Sequence, residues 1–168
     1  MSYASPKEFV DYYEKIRSRT VRVIECIPRD HIDWTHKDGK FTFADLVRHI
    51  AATERLMFAE CVQMNPSRYQ GHGRELADGY EAVMEYFHHM HDESIEIFRG
   101  LDDEQFRQKC RTPAGSAIGV WKWLRAMVEH EIHHRGQIYM MLGMIEVDTP
   151  PLYGLTSEEV RDVSGPHQ

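Results

Sequence analysis

Apolar residues recur at three- and four-residue steps along four separate stretches of this chain, and no stretch alternates convincingly in the manner of a half-buried strand. A helix of 3.6 residues per turn gathers such positions onto one face. Four helices of ~20 residues, each with a face to bury, satisfy one another as an all-α four-helix bundle. The punctuation of the sequence agrees. Ser5, Pro6 and Glu8 supply a cap, a proline for the first helical position and a glutamate three residues after the cap. Phe9, Tyr12, Tyr13, Ile16, Thr20, Val23 and Ile27 then keep the period until Pro28 ends it. Thr42 to Asp45 opens a second helix through Leu46, Val47, Ile50, Met57, Phe58 and Cys61, which stops before Asn65 and Pro66. The third begins near Tyr80 and closes at Gly100, and the fourth spans roughly 118–143. Long connections join them, over 29–40, 67–79 and 102–119, the last with room for one short helical turn. After Pro150 and Pro151, the cap at Thr156 to Glu159 starts a short C-terminal helix, followed by a polar tail.

A chain of 168 residues forms one domain, 1–168, large enough for a real core without staples. The net charge of -7, with basic residues scattered, excludes the basic footprint of a nucleic-acid binder. Cys26, Cys61 and Cys110 are odd in number and show no C-x-x-C spacing, which fits a reduced cytoplasmic setting. No basic-then-apolar leader opens the sequence, and no apolar run reaches the ~18 residues of a membrane helix, so neither export nor a membrane is expected.

The fourth helix carries the chemistry, in the segment His130-Glu131-Ile132-His133-His134-Arg135-Gly136-Gln137. Two helical histidines four apart lie ~6 Å apart along the axis and ~40° apart around it, so both can reach one metal ion. His49, mid-helix beside Leu46 and Ile50, is the best candidate for a third ligand. Three neutral imidazoles suit zinc, nickel, copper or iron and leave one coordination position open, as catalytic sites do. The alternative is three unrelated half-buried histidines. For His49 alone that alternative is favoured; the paired spacing of His130 and His134 reverses the balance.

The same segment matches H-E-x-x-H, in which the glutamate is the general base of a metalloprotease. Its surroundings disfavour that mechanism: Arg135 follows the second histidine, and Gln137 stands where the metzincin pattern needs glycine. Glu131 also lies ~100° from His130 around the helix. It stays a catalytic candidate only for a hydrolase that uses metal-activated water. Arg135 is the other candidate, as a bidentate partner for an anionic substrate, with an interhelical salt bridge as the alternative. Gln137 is placed to orient a ligand imidazole, and Gly136 to admit a neighbouring helix. His88, His89 and His91, with Asp92, form a rival cluster that reads as a solvated edge, and His133 points away from the paired ligands. Trp34, Trp121 and Trp123 read as packing residues.

The segment from His130 to Ile138, together with Phe43-Ala44-Asp45-Leu46-Val47-Arg48-His49-Ile50-Ala51 and the Pro150-Pro151-Leu152-Tyr153 ending, resembles the DinB-like (YfiT-related) metal-binding four-helix-bundle family. The resemblance spans all four helices. It implies a divalent metal, zinc or nickel, on His49, His130 and His134, a homodimer, and relatives that include thiol S-transferases and isomerases using low-molecular-weight thiols. The function expected is therefore a metal-dependent transferase that activates such a thiol for a small-molecule substrate. The alternatives are a non-catalytic, metal-stabilised bundle for stress response or ligand binding, and, ranked lower, a metal-dependent hydrolase.

Overall fold

The computed structural model describes residues 5–164. Helix α1 (Pro6–Ile24) starts at the expected cap, with the Ser5 hydroxyl accepting from the Glu8 amide at 3.3 Å. A 3-10 turn (Arg29–His31) leads toward α2 (Phe43–Thr53), whose capping box is made by Thr42 and Asp45. The second helix runs on through a π-helical stretch (Glu54–Ala59) into a last turn, α3 (Glu60–Val62). Then follow α4 (Tyr80–Arg99), the short α5 (Asp103–Arg107), strands β1 (Lys109–Arg111) and β2 (Ala117–Gly119), the long α6 (Val120–Met144) and the short α7 (Ser157–Val163), capped by Thr156. The tail expected after α7 lies, from residue 165, outside the described residues.

Two apolar clusters fix the direction of every long helix. One joins the beginning of α1 and of α6 (Phe9, Tyr13, Leu124) to the ends of the second helix and α4 (Phe58, Val62, Phe98). The other joins the end of α1 and of α6 (Val23, Ile24, Leu142) to the beginnings of α2 and α4 (Phe43, Val47, Val83). Hence α1 and α6 run one way, α2 and α4 the other. α1 packs on α6 and α4, and α2 packs on α4 and α6, so α1 faces α2 across a diagonal, as α4 faces α6. Neighbours α2 and α4 are parallel. The connection over 63–79 must therefore return along the length of the bundle, which no short turn can do.

That returning segment is pinned from beneath. Arg48 is fully buried and donates from Nε to the His72 carbonyl at 2.7 Å and from Nη1 to the Ala77 carbonyl at 2.9 Å, while its Nη2 pairs with Asp45 at 2.7 Å. A buried guanidinium with fixed donor geometry can satisfy loop carbonyls that water cannot reach. The region 102–119 departs from the expected irregular connection. It contains α5, as the short turn, but also an antiparallel hairpin pairing Cys110 with Ile118. Three-residue strands are too short to show alternation in sequence. Gly115 turns the hairpin with φ of 84°. No helix among the described residues is long and apolar enough to cross a membrane.

Candidate metal centre

Midway along the bundle, between the two apolar clusters, His49 from α2 meets His130 and His134 from α6. His130 Nε2 stands 3.0 Å from His49 Nε2 and 3.1 Å from His134 Nε2, and one nitrogen from each ring falls within 4.8 Å of the others. Four-residue spacing on α6 and the antiparallel run of α2 and α6 produce the convergence. His134 is buried; His49 and His130 are half-buried.

A hydrogen bond selects the tautomer of His134. Gln137 Oε1 lies 2.7 Å from His134 Nδ1 and, as an acceptor, takes a hydrogen from it, leaving His134 Nε2 as a lone pair. His130 Nε2 is either donor or acceptor in the neutral ring and has one in-plane site, so at most one of the two short N···N contacts is a well-formed hydrogen bond. Protonation is the wrong remedy here. Burial, with the neighbouring histidines, pushes His49 down to about 4 and His130 down to about 3, and burial lowers His134 as well. A divalent cation removes the conflict. Nitrogens bound tetrahedrally at ~2.0–2.1 Å would stand about 3.3 Å apart, close to the spacing found. Neutral, convergent imidazoles are a donor set that a divalent transition-metal ion takes.

Sequence reasoning missed two residues of this site. Tyr69 and His72 come from the returning connection, where no periodicity marks them. The Tyr69 hydroxyl is 2.7 Å from His49 Nδ1 and 3.3 Å from His72 Nδ1. When His49 offers Nε2 as a lone pair, its Nδ1–H donates to Tyr69, whose own hydrogen goes to His72. Phe41 closes one side, its ring 5.7 Å from His49 and 4.4 Å from His72.

Glu131 and Arg135 face elsewhere. Both lie on the α6 face turned to α1 and are buried. Glu131 accepts from Tyr13 Oη at 2.8 Å and Thr20 Oγ1 at 2.6 Å, and pairs with Arg17 Nη2 at 2.9 Å. Arg135 Nη1 donates to the Ile16 carbonyl at 3.3 Å. Neither is directed to the histidines, so the expected catalytic candidates occupy structural positions. Arg17 also pairs with Glu54, which in turn holds His91 Nδ1 at 2.9 Å. Burial opposes the charge on Arg17, but Glu131 and Glu54 outweigh it and keep its pKa raised. His91 thus corrects the expected surface cluster: His88 and His89 are exposed, whereas His91 turns inward against Tyr13. Gly136 corrects another expectation, since an added Cβ there would meet nothing within 4 Å. His133 is exposed, as expected. Trp34 stacks on Phe43 and Trp123 packs on Phe58, in packing roles.

A helical bundle with a three-histidine cluster between the neighbouring helices α2 and α6 defines the class, and the comparisons define the family. The sequence profile of the DinB superfamily matches residues 12–138. The chain belongs to that superfamily. It is 23% identical over 148 residues to YjoA of Bacillus subtilis (strain 168), covering 87% of this chain and 94% of YjoA. The crystal structure of a DinB-like protein from Bacillus cereus ATCC 10987 superposes with a TM-score of 0.75 at 12% identity, over 89% of this chain and 98% of that one. The DinB-like YjoA structure gives 0.70 at 19% identity, over 89% and 99%. YfiT of Bacillus subtilis, described as a probable metal-dependent hydrolase with an unusual four-helix bundle topology, gives 0.64 at 17% identity, over 85% and 89%. These likenesses confirm the bundle fold expected from sequence.

Proposed function

We propose that this chain is a divalent-metal-dependent enzyme in which His49, His130 and His134 hold the ion, and that its reaction is transfer of a low-molecular-weight thiol to a small electrophilic substrate. The observation that carries the reading is the 3.0 and 3.1 Å approach of three imidazole nitrogens whose protonation is suppressed. A cation bound there supplies Lewis acidity, lowering the pKa of a thiol or a water molecule that takes its open position. The chain's own contribution is orientation. Gln137 fixes the His134 tautomer and Tyr69 anchors the Nδ1 edge of His49. Phe41 excludes water from one flank of His49.

Thiol chemistry is favoured over hydrolysis by the position of Glu131. Attack by water calls for a proton acceptor beside the reacting group, and both Glu131 oxygens are engaged by Tyr13, Thr20 and Arg17. Hydrolysis is the second reading, supported by the description of YfiT. A homodimer, as the resemblance implies, is part of the proposal, with zinc or nickel as the ion.

Metal content of protein purified without an affinity tag tests the site. One divalent ion per chain is expected, lost in His130→Ala and in His134→Ala; stoichiometric metal in both variants overturns the assignment. Turnover of an electrophilic aryl halide with glutathione, coenzyme A, mycothiol or bacillithiol tests the reaction. Metal-dependent conjugation with one of them is expected. Ester or amide hydrolysis with no conjugation replaces the first reading by the second, and a chelation-sensitive melting temperature without either activity leaves a metal-stabilised bundle.

A further inference from the structure

Beside the histidine cluster lies a cavity of about 400 Å³, within the size range of small-molecule sites. Its walls are mostly apolar, formed by Phe41, Leu46, Met140, Met141 and Met144, with His36, Lys40 and Gln137 as the polar residues. Two of its lining residues belong also to the histidine cluster. Phe41 flanks His49, and Gln137 accepts from His134 Nδ1 at 2.7 Å. Met140 and Met144, at 59% and 53% exposed, are too open to be core residues. Unbranched thioether side chains reshape around ligands of different outline, which suits a binding wall more than a rigid core. The charge at this cavity is also distinctive. Lys40 lines it and no carboxylate does, although the chain carries 27 acidic residues against 20 basic ones.

We infer that this cavity binds the apolar body of a substrate bearing an anionic group, with Lys40 receiving the anion and the reactive end passing Phe41 and Gln137 toward the histidines. The inference rests on the reading of that cluster as a reaction centre. It names the electrophile as a small, apolar, anionic molecule. A cation would find no counter-charge in the lining, and a fully polar molecule would desolvate against methionine and phenylalanine with few hydrogen-bond partners, His36, Lys40 and Gln137, in return.

The probes are 1-anilinonaphthalene-8-sulfonate and its uncharged analogue N-phenyl-1-naphthylamine, titrated by fluorescence into zinc-loaded protein. One saturable site for each is expected. Met140→Glu weakens both by about tenfold or more, since it places a charge against the apolar wall. Lys40→Glu weakens the sulfonate and leaves the uncharged analogue unchanged. Replacing zinc by paramagnetic cobalt(II) quenches the bound probe, as closeness to the histidines requires. Equal affinity in wild type and Met140→Glu, both with native circular dichroism, overturns the inference. So does loss of probe binding that tracks conversion of a dimer to a monomer in sedimentation, because a second copy of the chain would then own this face. Metal content, measured on the same samples, keeps the two readings apart. A chain that takes up no metal but retains variant-sensitive probe binding removes the metal reading and leaves the cavity. Metal uptake without such binding does the reverse.

Discussion

Two polar clusters occupy the middle of this bundle, and they begin one residue apart. His130 enters the cluster shared with α2, while Glu131 enters the cluster shared with α1. Around Glu131 the carboxylates are answered: Tyr13, Thr20 and Arg17 satisfy Glu131, and Arg17 links it through Nη2 to Glu54 and so to His91, although its Nε and Nη1 have no partner. Charge is opposed by charge, and the Arg17 guanidinium also lies 4.2 Å from the centre of the Phe87 ring. Around His130 the groups do not answer one another. Three neutral imidazoles converge and their protonation is suppressed. An ion-paired buried network ties helices together, even with Arg17 Nε and Nη1 left without partners, whereas the converging imidazoles have no counter-charge of their own.

The largest effect should come from breaking the ion-paired cluster. Arg17→Met leaves Glu54 and Glu131 buried without their cation, and the loss of unfolding free energy should be about 3–5 kcal/mol, read by urea denaturation. His130→Ala in metal-free protein should cost far less, or stabilise, because it removes a ring-nitrogen contact that no hydrogen bond satisfies. Equal losses in the two variants would erase the distinction between the clusters.

Next is the response to metal. At a free zinc concentration of a hundred times Kd, wild type should gain about 2.7 kcal/mol by differential scanning calorimetry or urea denaturation, and His130→Ala should gain almost nothing. Acid should act in the opposite direction on metal-stripped protein. Unfolded imidazoles take up protons near 6.5, whereas His49 and His130 in the folded chain resist until about 4 and about 3. Between those values the unfolded state holds more protons, so the contribution present above pH 6.5 declines as the pH falls. Half-exposure of these rings screens the effect, and it should be smaller than the zinc response. Urea midpoints at pH 7.5 and 5.0 should differ more in wild type than in His130→Ala; equal differences would contradict the shifts.

Smallest is the contribution of the residues that orient the ligands. Tyr69→Phe and Gln137→Ala should each weaken zinc binding by about tenfold, in competition with a chromogenic chelator, while leaving metal-free stability nearly unchanged. Unchanged affinity in both would mean that the ring tautomers are set elsewhere.

Much of this arrangement is legible in the residues. Caps at Ser5, Thr42 and Thr156, and the apolar period behind each, locate their helices because both signals are local. The pairing of His130 with His134 is local too, a matter of 100° per residue. Their meeting with His49 is a longer step, legible because mid-helix histidines beside apolar residues must face the core. The two-stranded hairpin and the π-helical stretch were not legible. Three paired residues leave no periodic trace, and Glu54–Ala59 reads in sequence as ordinary amphipathic helix.

The sequence alone therefore determines the helices, the bundle and one edge of the site, since these depend on spacing along a regular rod. Only the tertiary structure decides which polar residues share an environment. Parallel packing of α2 and α4 forces the connection over 63–79 back along the bundle and carries Tyr69 and His72 to His49. The azimuth of α6 between α1 and α2 sends Glu131 and Arg135 into the structural face and His130 and His134 into the other. Both outcomes depend on contacts between residues tens of positions apart, and no local pattern encodes them.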